Sequence, residues 1–418
     1  MSAGLRALED VLPREAFAPP DGGAAAWSLG GAAPEAVVSP GSVEETAAML
    51  AAASHAGLGV VPAGRMISPG PEAPDRAFVV LSTRRLAGVE DYEPADLTAT
   101  ARAGTLLGEL AEATGPNGQW LPSDPPHAPR RTVGGLVATG ARGPLAGMYG
   151  APRDHVLGLT VVTGDGRVLR LGGRVMKNVA GFDLVRLMVG SRGTLGVVAS
   201  ASVRLFPRPA ADHVHVVSGE HPGELLAVAR AVATAKVVPA AAVLVSGGPA
   251  APATASLVVR VHGAAEAVAA DARTLLGEAL DGARLAGPAE AGALLDAVRD
   301  QAADHPVVLR AFALPGLLPE VLAAVQDAVP VAALAADVLS GRVRVGVSDL
   351  GPEEAEALLR LRARLEALGG TLSLERCPPE MAVGVGVHGG AGRSGELSAA
   401  LRAHFDPAGI LSPGRYAP

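Results

Sequence analysis

Residues 132–140 read TVGGLVATG and place three glycines and two threonine hydroxyls beside an apolar stripe. A second glycine-containing stretch, residues 62–70, reads PAGRMISPG and follows a short buried strand predicted over residues 58–61. Because glycine has no Cβ, its backbone can approach a ligand closely and present N–H groups to an anion. Few cations lie near these stretches in the sequence, so we expect backbone amides to hold the two negative charges of a dinucleotide pyrophosphate. For either stretch alone, the alternative is a tight structural turn that binds no ligand.

The composition is that of a folded, soluble protein. The chain has 418 residues, of which 49% are hydrophobic and 3% aromatic, and its formal net charge is −7, which argues against a nucleic-acid partner. The single cysteine, Cys377, excludes an internal disulfide and any cysteine-based zinc or iron–sulfur site formed by this chain alone. No apolar run reaches the roughly 18 residues of a membrane span. We therefore predict a cytoplasmic protein without membrane insertion.

Changes in the pattern of predicted elements divide the chain into four parts. In the first half, Ser42 and Glu45 predict a capping box for one helix, and Thr105 is expected to cap another. Further along, a strand–helix–strand–strand–helix order occurs twice, which predicts a duplicated sheet with helices on one face. The predicted parts are an N-terminal segment (1–34), a glycine-rich α+β domain (35–210), a second α+β domain (211–383), and a connector with a C-terminal tail (384–418).

Longer motifs carry a resemblance to a known family. Residues 121–127 read LPSDPPH, residues 149–158 read YGAPRDHVLG, residues 175–197 read VMKNVAGFDLVRLMVGSRGTLGV, and the tail 405–415 reads FDPAGILSPGR. Together these motifs resemble the FAD-binding domain of the vanillyl-alcohol-oxidase-type flavoproteins. Within that family they are most similar to the FAD-binding E subunit of bacterial glycolate oxidase. The resemblance implies an α+β fold with a two-lobed FAD-binding domain, an α+β cap domain with an antiparallel sheet, and a C-terminal tail that returns to the FAD domain.

The resemblance also implies FAD-binding roles for the matching positions. The residues expected along the pyrophosphate are Gly64, Arg65, Met66 and Ser68. The residues expected beside the isoalloxazine ring and the ribityl chain are Pro122, Thr132, Val133, Gly134, Gly135, Ala138 and Gly140. Those expected to hold the rest of the nucleotide through the backbone are Gly143, Gly150, Val156, Gly196 and Val198.

Two departures from the family pattern concern covalent attachment and catalysis. Some relatives attach the flavin through a histidine in the first loop, but residues 62–70 contain none and Cys377 lies far along the chain, so we expect noncovalent FAD. Relatives that oxidise substrate carry a His-x-Gly-Asp-Gly-Asn pattern, of which residues 388–393 (HGGAGR) keep the histidine and both glycines but lack the Asp and the Asn. Oxidation of a hydroxy acid needs a base for the hydroxyl proton while hydride passes to the flavin. His388 is the only candidate base in that register, and the alternative is a bystander histidine in a glycine loop.

The resemblance implies an FAD-dependent oxidoreductase that acts on CH–OH groups within a glycolate oxidase complex. The complex would oxidise glycolate to glyoxylate, with a catalytic FAD subunit and an iron–sulfur subunit as partners, and any membrane association would come through them. One alternative is a self-sufficient FAD-dependent D-2-hydroxyacid (D-lactate-type) dehydrogenase, in which His388 is the base and Arg310 or Arg393 binds the substrate carboxylate. An alternative of another class is a non-catalytic scaffold subunit that binds no flavin.

Overall fold

The computed structural model describes residues 2–17, 23–173, 182–351, 354–388 and 392–415. The α-helices are α1 (Ala3–Glu9), α2 (Val43–Ala56), α3 (Leu107–Thr114), α4 (Val133–Thr139), α5 (Ala146–Tyr149), α6 (Pro152–His155), α7 (Leu184–Met188), α8 (Leu226–Thr234), α9 (Ala265–Glu278), α10 (Pro288–Asp300), α11 (Leu318–Ala328), α12 (Ala355–Ala367), α13 (Pro379–Val385) and α14 (Gly392–Phe405). The strands are β1 (Val37–Val38), β2 (Gly59–Ala63), β3 (Phe78–Ser82), β4 (Val89–Glu93), β5 (Thr98–Arg102), β6 (Gln119–Trp120), β7 (Val156–Val162), β8 (Val168–Gly172), β9 (Val197–Arg204), β10 (Phe206–Pro207), β11 (Ala211–Gly219), β12 (Ala241–Gly247), β13 (Ala251–Gly263), β14 (Arg284–Leu285), β15 (Val307–Phe312), β16 (Ala333–Asp337), β17 (Arg342–Val347) and β18 (Thr371–Arg376).

The first lobe contains a parallel three-stranded sheet in the order β1-β3-β2, with helix α2 packed beside it. Helix α2 begins where the Ser42 hydroxyl accepts a hydrogen bond from the Glu45 N–H at 3.0 Å, and it ends at Gly57, whose φ is +64°. The Glu45 carboxylate accepts from the Gly41 N–H at 2.7 Å, so the predicted capping box is half formed. Buried Leu8 packs into the same core, which joins the described residues of the N-terminal segment to this lobe.

The second lobe is a five-stranded antiparallel sheet in the order β4-β5-β9-β7-β8. Helix α4 begins where the Thr132 hydroxyl accepts from the Gly135 N–H at 3.0 Å, and its apolar side packs into the core of this lobe. Thr105 does not cap α3 as predicted, because its hydroxyl bonds to the backbone of Gly88 instead. The Glu109 carboxylate caps that helix by accepting from a backbone N–H at its start.

The cap domain is an eight-stranded antiparallel sheet in the order β14-β11-β13-β12-β16-β17-β15-β18. Its six central strands show the predicted duplication. The first half lies in the order β11, β13, β12, and the second half, read from its outer side, lies in the matching order β15, β17, β16. Helices α8, α9, α11 and α12 pack on one face. Helix α10 packs on the opposite face, which the sequence pattern did not predict.

The C-terminal tail returns to the first lobe. Leu411 forms a parallel bridge with Val60, and the Ser412 N–H donates to the Val60 carbonyl at 2.8 Å. The Asp406 carboxylate fixes the turn before it by accepting from the N–H groups of Ile410 and Leu411 at 3.1 and 2.7 Å. The two lobes, the cap with its antiparallel sheet and the returning tail confirm the predicted α+β fold class.

Candidate functional site

The two glycine-containing stretches, which are far apart in the sequence, contact each other in the fold. A Cβ atom built on Gly64 would lie 2.3 Å from the Thr132 hydroxyl oxygen, and one built on Gly135 would lie 2.9 Å from it. Residues of both stretches line one cleft with an empty volume of about 660 Å³, which we call the loop cleft (residues 29, 61–69, 131, 132, 135, 138, 139, 192, 193 and 415). A side chain at Gly64 would push the two stretches apart, and one at Gly135 would press on the start of the second stretch, so the cleft depends on bare backbone.

Besides Arg65 of the first loop, three arginines from distant parts of the chain line the loop cleft: Arg131, Arg192 and Arg415. Arg131 is 3% exposed and donates hydrogen bonds to the Ser68 hydroxyl at 3.1 Å and to the Pro126 carbonyl at 3.2 Å. Burial lowers the pKa of Arg131 to about 10, which leaves the guanidinium charged at neutral pH. Folding therefore brings to this cleft positive charges that the sequence separates.

The tail arginine braces the end of the first loop. Arg415 is 2% exposed, its Nε donates to the Glu72 carbonyl at 2.9 Å, and its Nη2 donates to the Pro69 carbonyl. The preceding Gly414 has φ of +69°, and a Cβ atom there would lie 2.6 Å from the Cβ of Asp75. The end of the tail therefore fixes the position of the loop that lines the cleft.

The predicted FAD-binding residues divide between the clefts and the core. Those in the loop cleft are Gly64, Arg65, Met66, Ser68, Thr132, Gly135 and Ala138. Gly140 and Gly143 line a second cleft, described below. Those that line neither cleft are Pro122, Val133, Gly134, Gly150, Val156, Gly196 and Val198. The FAD-binding roles of all these residues stay predictions, and residues 175–181 of the quoted motif lie outside the described residues.

Close packing alone accounts for two of the glycines outside the clefts. A Cβ atom on Gly134 would lie 2.7 Å from the Cβ of Ala103, and one on Gly196 would lie 2.5 Å from a methyl group of Val161. Both neighbours belong to the core of the second lobe. These glycines are required by the fold whether or not their backbone also contacts a nucleotide.

A second cleft lies between the cap sheet and the two lobes, and we call it the arginine cleft. Its empty volume is about 1390 Å³, and Thr139 lines both this cleft and the loop cleft, so the two adjoin. Asp337 is the one carboxylate among the described residues that line it. Its arginines are Arg142, Arg299, Arg310, Arg342 and Arg344.

Strand register explains why the cap arginines face one cleft. Arg310 pairs with Arg344, and Phe312 pairs with Arg342, on the neighbouring antiparallel strands β15 and β17. Residues two apart on a strand point to the same face of the sheet, and so do directly paired residues. All four side chains therefore lie on the face that borders the lobes.

Buried charges in this region are only partly compensated. Arg344 and Glu375 form an ion pair at 2.8 Å, and each side chain is 17% exposed. Although burial by itself raises the pKa of Glu375, the charges of Arg344 and Arg310 outweigh it and lower the pKa to about 2. Burial lowers the pKa of Arg310, whose guanidinium makes no hydrogen bond to any described residue. Arg310 is thus a cation in the arginine cleft that can bind an anion.

His388, the predicted base, lies near these arginines. Its side chain retains solvent exposure, yet partial burial of the ring and the charges of Arg192 and Arg310 lower its pKa to about 4. The imidazole is neutral at neutral pH and can accept a proton. Residues 389–391, which follow it in the predicted motif, lie outside the described residues.

Cys377 is distant from the flavin motifs in sequence but not in the fold. The residue is 8% exposed, and burial together with the negative charge of Glu72 raises the pKa of its thiol to about 12. Since Glu72 follows the first loop, Cys377 lies closer to that loop in the fold than its position along the chain indicates. A thiol with so high a pKa is protonated at neutral pH and is a poor nucleophile.

In the part of the chain that the structure describes, no group of three or more His, Cys, Asp or Glu side chains could hold a metal ion. No helix among these residues is long and apolar enough to cross a membrane.

Sequence patterns gave uneven signals for the residues that line the clefts. The alternation Arg342-Val343-Arg344-Val345 is a signal that could have identified two arginines on one face of a strand. Arg131 and Arg192 carry no such signal, because arginines in loops are usually solvated and their burial depends on distant elements.

The loop cleft fits the diphosphate of a flavin dinucleotide. Gly64 and Gly135 line it at positions where a Cβ atom would collide with Thr132, and four arginines, Arg65 among them, supply positive charge. A family model described as "FAD binding domain" matches residues 34–172. Residues 34–172 are therefore similar to FAD-binding domains. FAD is therefore the cofactor, and its domain includes both glycine-containing stretches.

Relatives of this FAD-binding domain include oxidases and dehydrogenases. Glycolate oxidase subunit GlcE of Escherichia coli (strain K12) is 49% identical over 133 residues, which are 32% of this chain and 38% of the relative. Glycolate oxidase subunit GlcD of Bacillus subtilis (strain 168) is 32% identical over 208 residues, 50% of this chain and 44% of the relative. D-lactate dehydrogenase of Archaeoglobus fulgidus is 38% identical over 175 residues, 41% of this chain and 39% of the relative. The chain thus spans about two fifths of the length of the curated relatives it matches.

The whole fold, including the cap, is similar to solved structures. An alkyldihydroxyacetonephosphate synthase superposes with a TM-score of 0.72 at 17% identity, covering 99% of this chain and 84% of that one. At so low an identity the likeness shows the shared fold alone. It agrees with the two-lobed FAD-binding domain and cap described above.

Proposed function

We propose that this protein is an FAD-dependent oxidoreductase that oxidises 2-hydroxy acids, and that it works as the FAD-binding subunit of a glycolate oxidase complex. The complex oxidises glycolate to glyoxylate and includes a catalytic FAD subunit and an iron–sulfur subunit. The names of two relatives, both glycolate oxidase subunits, support this assignment. The protein is cytoplasmic, and any membrane association comes through its partners.

One observation carries the proposed chemistry: Arg310 lies without a hydrogen-bonding partner among the described residues, in a cleft that adjoins the FAD-binding loops. A guanidinium binds a carboxylate through paired hydrogen bonds, so Arg310 orients the acid group of a hydroxy acid. His388 lies near Arg310 and is neutral, and it accepts the hydroxyl proton. FAD, when bound, supplies the acceptor for the hydride that leaves the hydroxyl-bearing carbon.

The subunit role is tested by purifying the chain with FAD, alone and together with its partner subunits, and measuring glycolate oxidation with a dye acceptor. We expect little turnover alone and full turnover in the complex. Turnover by the isolated chain at the rate of the complex would contradict the subunit role and leave the oxidase chemistry standing.

A self-sufficient D-2-hydroxyacid dehydrogenase is the second candidate, favoured by the proximity of His388 and Arg310. It predicts D-lactate turnover by the isolated chain, with loss of kcat in His388→Gln and a raised KM in Arg310→Gln. Retained turnover in His388→Gln would remove that residue as the base. The other predicted carboxylate ligand, Arg393, has a side chain that lies outside the described structure.

FAD binding is proposed to be noncovalent. The first loop has no histidine, and the Cys377 thiol is protonated at neutral pH, which supports this view. Acid precipitation should release all the flavin into the supernatant, and yellow colour retained in the pellet would contradict it. A preparation that stays colourless after addition of FAD would favour the scaffold alternative.

A further inference from the structure

A loop of the FAD-binding lobes is held by two carboxylates of the cap. The loop contains His127, the histidine that ends the motif LPSDPPH (residues 121–127). Its N–H donates to the carboxylate of Asp300 at 2.6 Å, and Asp300 is the last residue of helix α10 in the cap. The Nδ1 and Nε2 atoms of its ring lie 3.8 Å from an oxygen of Asp300 and 3.2 Å from an oxygen of Asp304. The cap therefore contacts both the backbone and the side chain of His127.

Asp300 is a charged hydrogen-bond acceptor. The Nε and Nη2 atoms of Arg299 donate to its carboxylate at 2.9 and 2.7 Å. Burial by itself raises the pKa of Asp300, but the hydrogen bonds from Arg299 and from the His127 N–H outweigh it and lower the pKa. A hydrogen bond to an ionised acceptor is roughly twice as strong as one between neutral groups. The bond from His127 is therefore a strong contact between the two domains.

The cap segment that carries these carboxylates is anchored on both sides. The side chain of Gln301, which is fully buried, donates to the Ser246 carbonyl at 3.0 Å. Arg376 of strand β18 donates to the Ala303 carbonyl at 3.0 Å. Between these anchors, buried Ala302 has a φ of +63°, a left-handed conformation that alanine rarely adopts and that persists only where the surrounding structure imposes it. The cap therefore presents the two carboxylates in a fixed position.

The loop that the cap holds also carries a cation of the loop cleft. Arg131 donates to the carbonyl of Pro126, the residue before His127, at 3.2 Å, and to the Ser68 hydroxyl of the first loop at 3.1 Å. Its own N–H donates to the Ala128 carbonyl at 3.1 Å, which closes the turn after His127. A continuous chain of hydrogen-bonded groups therefore runs from the cap carboxylate through this turn to the first loop.

Charges of the cap also compensate Arg131, whose side chain is buried. Burial lowers the pKa of Arg131 to about 10, and the negative charges of Glu375 and Asp300, both in the cap, oppose that shift. A buried cation that loses a nearby carboxylate is destabilised where it lies. Removal of Asp300 therefore favours a position of Arg131 outside the loop cleft, where water can solvate it.

We propose that Asp300 is a positioning residue for FAD binding, which holds Arg131 in the loop cleft through the turn at His127. FAD affinity then depends on a cap residue that does not itself line the loop cleft. Because coupling between two sites is reciprocal, FAD binding stabilises the cap segment 299–305 in turn. The proposal concerns the cofactor and does not depend on which hydroxy acid the protein oxidises.

The first test measures the Kd for FAD by titration of the apoprotein. Asp300→Ala should raise the Kd by about 10-fold, because the hydrogen bond from His127 to a charged acceptor is lost. Asp300→Asn should raise it less, since the amide oxygen can still accept from the His127 N–H. The matched control is Asp296→Ala, which removes the other partner of Arg299, an exposed carboxylate one turn earlier on α10, and should leave the Kd unchanged. Equal Kd values for Asp300→Ala and this control would overturn the proposal.

Two further measurements separate positioning from a general loss of stability. In the Arg131→Gln background, Asp300→Ala should not weaken FAD binding further, and additive losses would overturn action through Arg131. Added FAD should slow hydrogen–deuterium exchange in the cap segment 299–305 of the unsubstituted protein more than in α9, which packs on the other face of the cap sheet. Equal slowing in the two segments, or none, would overturn the coupling. None of these measurements involves turnover, so their outcome is independent of the proposed oxidation.

Discussion

A methyl group added at Gly64 should weaken FAD binding, because it would occupy space where the two glycine-containing stretches meet. The new Cβ atom would lie 2.3 Å from the Thr132 hydroxyl oxygen and 3.0 Å from the Thr132 methyl group. Carbon and oxygen atoms do not approach so closely, so the first loop must move away from the start of α4. Overpacking of this kind costs about 1–3 kcal/mol.

The free protein can relieve that clash by displacing the loop, whereas FAD binding needs both stretches in place. Most of the cost should therefore appear as weaker FAD binding, by about 5- to 150-fold in Kd. The Kd is measured by titrating the apoprotein with FAD and recording the quenching of flavin fluorescence. Gly277→Ala is the control, since its Cβ atom would meet nothing within 4 Å on an exposed turn of α9, and we expect unchanged FAD affinity.

A double substitution tests whether Thr132 is the cause. Thr132→Ala removes the two closest atoms and also the cap of α4, which by itself costs about 1 kcal/mol. If the clash is correctly identified, Gly64→Ala should weaken FAD binding less in the Thr132→Ala background than in the unsubstituted protein. Unchanged FAD affinity in Gly64→Ala, or equal losses in both backgrounds, would refute the reasoning.

Three further predictions concern charged and titratable groups. Arg415→Gln should raise the Kd for FAD by about 10-fold, because the hydrogen bonds that brace the first loop are lost. Titration of the apoprotein with FAD measures this Kd, and an unchanged value would contradict the bracing role. Glu375→Gln should lower the free energy of unfolding in urea by about 3 kcal/mol, since it leaves Arg344 buried and unpaired. The control is Glu356→Gln, which breaks the exposed pair with Arg360 and should change stability by less than about 1 kcal/mol. Equal effects of the two substitutions would show that burial of the pair does not matter for stability. Burial lowers the pKa of His262 to about 4, so on acidification the unfolded chain is protonated at this residue before the folded protein is. Stability should therefore fall as the pH drops from about 6.5 toward 4. In His262→Gln the melting temperature should fall less over this pH range, and an unchanged pH dependence would contradict the assignment.

The FAD-binding lobes could be predicted from local sequence because their signals are local. The Ser42 cap and Gly57 stop define α2, and the glycines of residues 62–70 and 132–140 are required where backbones approach closely. Such features act within a few residues or require a particular residue type, so the sequence alone can reveal them. Local signals failed where a side chain had two possible partners, as for Thr105, whose hydroxyl bonds to Gly88 rather than capping α3.

The sequence by itself determined the cofactor class, the α+β architecture and the duplicated cap, since motifs and periodicity encode them directly. Only the tertiary structure decided which charges meet: Arg131, Arg192 and Arg415 at the loop cleft, and Arg310 beside the Arg344–Glu375 pair. The physical reason is that the charge state and partners of a side chain depend on burial and on neighbours from distant elements. The 33 arginines look alike in sequence, and one of them becomes a binding group only where the fold places its guanidinium in a cleft.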